Sequence, residues 1–171
     1  MSSPPAQRPR PPPAPGAARP AVPPEVRRQQ LLQAWADGKA TLKDVRGYSD
    51  AELYAVAQAA HTYFYQGRIE EARTLFHGLF AVDPTNAYFA RGMGVVEMAA
   101  GNREGALAAF DVAAKLDPRD AGILVGRAEV KLTLGQKGGA VEDLRRATQL
   151  AAPTDPAVRK AQAMLQLLTR R

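Results

Sequence analysis

Apolar residues recur at helical spacing through most of the chain, and polar or small residues mark where the predicted helices begin and end. The first predicted helix runs from about Pro24 to Asp37, with a proline at its start and Gly38 after its end. Its apolar positions are Val26, Leu31, Leu32 and Trp35. A short segment, Thr41 to Tyr48, then leads to the next helix.

Ser49 and Glu52 have the spacing of a capping box, in which each side chain bonds the backbone amide of the other residue. This pair predicts that a helix begins at residue 50. A last helix is predicted from about Pro156 to Arg170. Its apolar side consists of Val158, Ala161, Met164, Leu165 and Leu168. We expect it to cover the open end of the preceding helices.

Between these two ends the sequence repeats every 34 residues. Asp83-Pro84 recurs as Asp117-Pro118, and 34 is the period of the tetratricopeptide repeat. With Leu53 as the first position, the three units cover about residues 53–86, 87–120 and 121–154.

Four positions inside the units support this alignment. Position 8 is small (Ala60, Gly94, Ala128), position 15 is glycine (Gly67, Gly101, Gly135), position 20 is alanine (Ala72, Ala106, Ala140) and position 24 is large (Phe76, Phe110, Leu144). Small residues at positions 8 and 20 let two helices approach closely, and glycine permits the left-handed turn between them. We therefore predict an all-α fold: three tetratricopeptide-like hairpins in a right-handed superhelix, with an N-terminal helix and a C-terminal capping helix.

The prolines divide the chain. Residues 1–24 hold ten of the fourteen prolines, and such a stretch lacks the apolar residues to form a core. We predict a disordered proline-rich arm over 1–23, an N-terminal helix and lead-in over 24–48, and a repeat domain over 49–171.

Charge and composition exclude several classes of function. The net charge of +6 is spread out, with +3 in residues 1–24 and +3 over the remaining 147 residues. A nucleic-acid-binding protein usually concentrates its charge in one stripe, so no nucleic-acid partner is expected. No signal peptide and no run of about 18 apolar residues is found, which predicts a cytoplasmic protein without membrane insertion.

The sequence offers little for catalysis. It has two histidines, His61 and His77, no cysteine, and no metal-binding or phosphate-loop motif. We expect no enzyme activity, no cofactor and no metal site.

The remaining candidate is the surface formed by the first helix of each unit, which lines the concave face of a repeat superhelix. We predict that this groove consists of Tyr54, Ala57, His61, Phe64, Tyr65, Tyr88, Arg91, Val95, Met98, Val125, Glu129 and Leu132. An exposed lining rich in aromatic residues suits an extended apolar peptide.

Several segments also resemble a known family. They are Thr41-Leu42-Lys43-Asp44-Val45, Tyr63-Phe64-Tyr65-Gln66-Gly67-Arg68, Phe89-Ala90-Arg91-Gly92-Met93-Gly94 and Arg127-Ala128-Glu129. Together they resemble the class II type III secretion chaperones, the SycD/LcrH translocator-chaperone family, from about Trp35 to Ala152. Arg91 departs from that family, which commonly has an apolar residue there.

The resemblance implies a bacterial cytoplasmic chaperone. Its partners would be the hydrophobic translocator proteins of a secretion system, each held in the groove as an extended segment and kept soluble for export. It also implies a homodimer formed through N-terminal helices. Two alternatives remain open: a general tetratricopeptide-repeat adaptor in another bacterial complex, and a nucleic-acid-linked regulator acting through the basic arm.

Overall fold

The computed structural model describes residues 23–169, and every regular element within them is a helix. The helices are α1 (Pro24–Ala36), α2 (Leu42–Arg46), α3 (Asp50–Tyr65), α4 (Ile69–Val82), α5 (Ala87–Ala99), α6 (Arg103–Leu116), α7 (Ala121–Thr133), α8 (Lys137–Leu150) and α9 (Pro156–Thr169). The predicted arm lies outside the described residues, apart from Pro23. None of the helices in this part of the chain carries an apolar stretch long enough to cross a membrane.

The lead-in contains a helix that the sequence analysis did not predict. In α2, the Thr41 hydroxyl accepts a hydrogen bond from the Asp44 amide at 3.3 Å, and the Asp44 carboxylate accepts one from the Thr41 amide at 2.7 Å. A helix of five residues is too short to show an apolar period, so only its capping pair could have revealed it. The predicted box of Ser49 and Glu52 is confirmed, with corresponding distances of 3.3 and 2.8 Å.

Three of the four predicted apolar residues of α1 stay exposed in the part of the chain that the structure describes. The helix packs mainly against α2, and none of its residues is buried. Trp35, Leu32 and Val26 remain 51%, 43% and 41% exposed. The predicted apolar face is therefore only partly covered by the described residues.

The remaining helices form a stack in which each one packs against the next, from α3 to α9. Each 34-residue unit contributes one hairpin: α3 with α4, α5 with α6, and α7 with α8. The final helix packs on both α8 and α7 through the buried side chains of Val158 and Ala161. The predicted three hairpins and the covering helix are thus confirmed.

The repeat positions have the expected roles. Ala60, Ala72, Ala106, Ala128 and Ala140 are all 0% exposed where the two helices of a unit meet. The glycines at position 15 end the first helices with φ angles between 74° and 82°, a region that other residues rarely adopt. The large residues at position 24 are buried beside the helix contacts.

Gly92 is a close-packing position between the first and second units. A Cβ atom at Gly92 would lie 2.1 Å from Cε1 of Phe76, whereas one at Gly78, exposed within α4, would meet nothing within 4 Å. We expect Gly92→Ala to lower the free energy of unfolding by about 1–3 kcal/mol through overpacking. Gly78→Ala should raise it by about 0.5–1 kcal/mol, because alanine favours helix.

Urea unfolding followed by circular dichroism would check both changes. Since the two variants add the same methyl group, a loss of stability in both would mean that close packing at Gly92 is not the cause.

A buried glutamate joins the first two units. Glu97, at position 11 of the second unit, is 2% exposed. Its carboxylate accepts hydrogen bonds from Arg73 Nε at 2.8 Å and Asn102 Nδ2 at 2.6 Å, and it also bonds His77. Burial alone would raise the pKa of Glu97, but these hydrogen bonds outweigh it and the pKa lies below its usual value. His77 is half exposed and paired with this carboxylate.

A second buried carboxylate lies within the third unit, where it holds an arginine that also reaches the second unit. Asp143 on α8 is 4% exposed. It accepts hydrogen bonds from Arg127 Nη2 and Nε at 2.6 and 2.8 Å and from Lys131 Nζ at 2.8 Å. Arg127 reaches onward to Asp111 on α6 at 3.0 Å. One arginine on α7 thus connects the helices on both sides of it.

Candidate peptide-binding groove

The first helices of the three units border three cavities. The first cavity, about 290 Å³, lies between α3 and α5. It is lined by His61, Phe64, Tyr65, Tyr88, Arg91, Gly92 and Val95. All of these except Gly92 are among the predicted groove residues, and they lie together because residues three or four apart share one helix face.

The second and third cavities continue along α5 and α7. The second, about 460 Å³, is lined mostly by Met98, Phe110, Leu132 and other apolar residues. The third, about 300 Å³, lies between α5, α7 and the start of α9. Val95 lines all three. The cavities are therefore parts of one surface, which we call the groove.

One end of the groove carries a row of aromatic rings, which we call the aromatic row: Tyr54, Tyr88, His61 and Tyr65. Successive ring centroids lie 5.4, 5.9 and 6.5 Å apart. Tyr54 is outside the three cavities and extends the row through its contact with Tyr88. The three tyrosines are 40%, 37% and 83% exposed, in the order Tyr54, Tyr88, Tyr65. Rings this open are available to a partner.

The histidine of the row is held by its neighbours. His61 Nε2 lies 2.7 Å from the Tyr88 hydroxyl. Burial first, and then the positive charge of Arg91, lower the pKa of His61 from its usual 6.5. The imidazole is therefore neutral at pH 7, which keeps this end of the groove uncharged apart from Arg91.

This shift predicts a pH dependence of stability. Because the unfolded chain takes up the His61 proton first, the free energy of unfolding should fall as the pH drops from 6.5 through the folded-state pKa. Above pH 6.5 the group is neutral in both states and should contribute nothing. Denaturant unfolding of the wild type and His61→Gln at pH 7.5 and 5.5 would check this. Between these two pH values the free energy of unfolding should fall more in the wild type than in His61→Gln. Equal losses would contradict the shift.

The floor of the groove includes a phenylalanine from the second helix of a unit. A Cβ atom at Gly94 or Gly126 would lie 2.8 or 2.5 Å from the Phe110 ring. Since neither glycine carries a side chain, Phe110 reaches between α5 and α7 and lines two of the cavities. The sequence analysis did not place Phe110 in the groove, although Gly126 could have indicated the space beside its ring.

Two ion pairs lie beside the third cavity, which shares Arg91 with the first. Arg91 Nη1 lies 3.3 Å from the Asp120 carboxylate, and Lys160 Nζ lies 2.7 Å from Glu129. Lys160 belongs to α9, which also contributes Met164 to the lining. The helix that was predicted only to cover the stack therefore also forms part of the groove.

The other predicted lining residues divide into two groups. Met98, Leu132, Glu129 and Val125 border the second or third cavity, although Val125 is only 3% exposed. Ala57 has no exposed surface and packs in the core of the first unit, so its side chain is not part of the groove surface. The prediction for Ala57 was wrong because its side chain is too short to reach past the larger residues around it.

A further apolar cavity lies outside the groove. It measures about 360 Å³ and is lined by Tyr48, Val56, Leu75, Val82 and neighbouring residues of α3 and α4. It lies at the N-terminal end of the stack, where no preceding repeat packs against the hairpin of α3 and α4. The sequence analysis did not predict it.

Comparisons with known proteins found a matching repeat family and similar solved structures. A tetratricopeptide repeat model matches residues 57–121 and 91–156. A search of curated proteins by sequence found no match. The structure of PcrH in complex with the chaperone binding region of PopD is 26% identical, with a TM-score of 0.65 over 72% of this chain and 95% of that one.

Two further structures are similar. PcrH from Pseudomonas aeruginosa is 25% identical, with a TM-score of 0.65 over 71% of this chain and 95% of that one. The type III secretion translocator chaperone SycD of Yersinia enterocolitica is 23% identical, with a TM-score of 0.68 over 75% and 98%. At that identity SycD shows a shared fold. The resemblance noted in the sequence is confirmed by these structures.

Proposed function

The chain belongs to the tetratricopeptide repeat family, and from that premise we propose that it is a cytoplasmic chaperone of a type III secretion system. Its clients would be hydrophobic translocator proteins of that system. It would bind an extended segment of the client in the groove and so keep the client soluble until export.

The observation that carries this proposal is the groove itself. Apolar and aromatic side chains line a continuous surface on α3, α5 and α7, and exposed surfaces of this kind on a folded protein usually mark a partner site. The solved complex of PcrH with the chaperone binding region of PopD supports the same use of a similar fold.

The chemistry of the groove favours an extended peptide over a folded partner or a small molecule. Each cavity is small, about 290 to 460 Å³, so each suits one or two side chains. The cavities lie in sequence along the stack, as the side chains of an extended chain do. The Arg91–Asp120 and Lys160–Glu129 pairs beside the third cavity would contact polar residues of the client.

Coexpression tests the proposal. The chain should be produced with a hydrophobic translocator encoded in the same secretion gene cluster, and the client's soluble fraction measured with and without it. We expect the client to be soluble and to co-purify only when the chain is present. A client that stays insoluble, with the chain instead copurifying with an unrelated complex, would favour the general adaptor.

A further inference from the structure

We propose that Arg91 selects clients whose bound segment carries an acidic residue, and that the carboxylate of this residue enters the first cavity and pairs with the Arg91 guanidinium. The inference rests on the proposed function, because it takes the groove to be the client site.

Arg91 gives the first cavity a net positive charge. Of the seven residues that line this cavity, Arg91 alone is charged at pH 7, since His61 is neutral there. Burial and then the charge of Arg91 lower the pKa of His61. Burial raises the pKa of Tyr88, and the same charge opposes that rise. A positive cavity walled by aromatic rings favours an anionic side chain over a cationic one.

The guanidinium of Arg91 has hydrogen-bond donors to spare. Its ion-pair partner among the described residues is Asp120, through one contact of 3.3 Å from Nη1 to Oδ2. The other oxygen of Asp120 accepts the amides of Gly122 and Ile123 at the start of α7, at 2.7 and 3.2 Å. Arg127, by comparison, makes three contacts of 2.6 to 3.0 Å with two carboxylates. Arg91, 43% exposed, can therefore accept a second carboxylate as Arg127 does.

Gly122 makes room for the guanidinium at a position where the other two units carry a ring. Position 2 of the units is Tyr54, Tyr88 and Gly122. A Cβ atom at Gly122 would lie 3.2 Å from both Cζ and Nη1 of Arg91. The guanidinium thus follows the tyrosines along the groove, and Arg91 lines both the first and the third cavity. The chemistry of the groove changes at this point from aromatic to cationic.

A carboxylate fits this cation better than the other acceptors of an extended peptide. Backbone carbonyls offer one oxygen each and no charge, whereas a carboxylate accepts two parallel N–H groups of one guanidinium. The apolar side chains around Arg91 exclude part of the water that would otherwise screen the pair. We therefore expect one acidic residue among the apolar residues of the client segment.

Peptide binding tests this recognition. Overlapping 15-residue peptides from the translocators encoded in the same secretion gene cluster are the probe, and fluorescence anisotropy measures their affinity for the full chain. The peptides that bind should contain Asp or Glu. In the tightest of them, changing one acidic residue to its amide should weaken binding to the wild type about five- to thirtyfold. The same change should weaken binding to Arg91→Leu less than about twofold.

Two results would overturn the proposal. Tight peptides without an acidic residue would show that the groove does not require one. Equal losses from the amide change in the wild type and in Arg91→Leu would show that the carboxylate is bound elsewhere. If Arg91→Leu weakens every peptide equally and the amide change weakens none, Arg91 binds backbone carbonyls instead, and the proposal is again overturned.

Lys160→Met is the matched control, because Lys160 is the other cation that lines the groove. Its side chain is 54% exposed and pairs with Glu129 at 2.7 Å. This variant should keep the wild-type preference for the acidic peptide. Arg91→Glu should reverse it, so that a peptide with lysine in place of its acidic residue binds tighter than the original. Loss of the preference in Lys160→Met, or no reversal in Arg91→Glu, would contradict a specific pairing with Arg91.

The two proposals fail separately. Translocator peptides that bind without preference for an acidic residue would remove the role of Arg91 and leave the chaperone function intact. If no peptide binds but the coexpressed client is soluble, the acidic recognition also fails alone. If no peptide binds and the client stays insoluble, both proposals fail.

Discussion

Asp143→Ala is expected to lower the free energy of unfolding by about 2–4 kcal/mol. The carboxylate is 4% exposed and holds both Arg127 and Lys131, whose side chains are 17% and 18% exposed. Removing it leaves two largely buried cations without their principal acceptor, and an uncompensated buried charge costs more than the lost bonds alone. We place the value below the full range for deep burial because water still reaches both cations.

Two comparisons separate charge from packing. Asp111→Asn should cost less than about 1 kcal/mol, because Asp111 is 45% exposed and makes one contact with the same arginine. Asp143→Leu combined with Arg127→Met should lose less stability than Asp143→Ala, since the arginine charge leaves with its partner. Urea unfolding at pH 7 measures all three. A double variant less stable than the single one would contradict the charge argument.

The architecture could be predicted from the sequence because the repeat fixes it locally. Positions 8, 15, 20 and 24 state where each hairpin turns and where its helices cross, and at positions 8, 15 and 20 the residue acts within its own unit. Ala60 and Ala72 meet inside one hairpin, for example, and both are fully buried. Turns and helix contacts that lie within one 34-residue unit can be predicted by aligning the three units.

The parts that could not be predicted depend on contacts between units. Phe110 reaches the groove because two glycines on different helices leave space above its ring. Glu97 is a buried charge in α5, and its partners Arg73, His77 and Asn102 come from segments before and after that helix. No periodic pattern relates these residues, so only the packed structure brings them together.

The predicted groove lining was also only partly correct, because it too depends on packing between helices. Helix positions indicate which face a residue is on but not whether its side chain reaches the surface. Ala57 is on the predicted face and is buried, whereas Tyr88 on the equivalent face of α5 is 37% exposed. Lys160 and Met164 joined the groove because α9 packs against α7 as well as α8, which a covering helix need not do.

The aromatic row should supply much of the client affinity, and Tyr54→Ala with Tyr88→Ala should weaken binding at least about 100-fold. Tyrosine is among the residues most often found at binding hot spots, each with a truncation cost of about 2 kcal/mol or more. Tyr88 contacts Tyr54, Phe89 and His61, so truncation removes contact area and also disturbs the neighbouring rings. Isothermal titration calorimetry with the client segment identified by coexpression measures the loss.

Tyr48→Ala is the matched control, because Tyr48 is a tyrosine of similar exposure, 44%, that lines the cavity outside the groove. We expect its affinity for the client to stay at the wild-type value. Tyr88→Phe keeps the ring and loses only the hydroxyl that bonds His61, so it should weaken binding by about tenfold or less. Helical circular dichroism should be unchanged in all of these variants. Since Tyr54 and Tyr88 lie within the aromatic row and Tyr48 does not, equal losses in all three positions would mean that the client is held by general apolar adhesion and not by the groove.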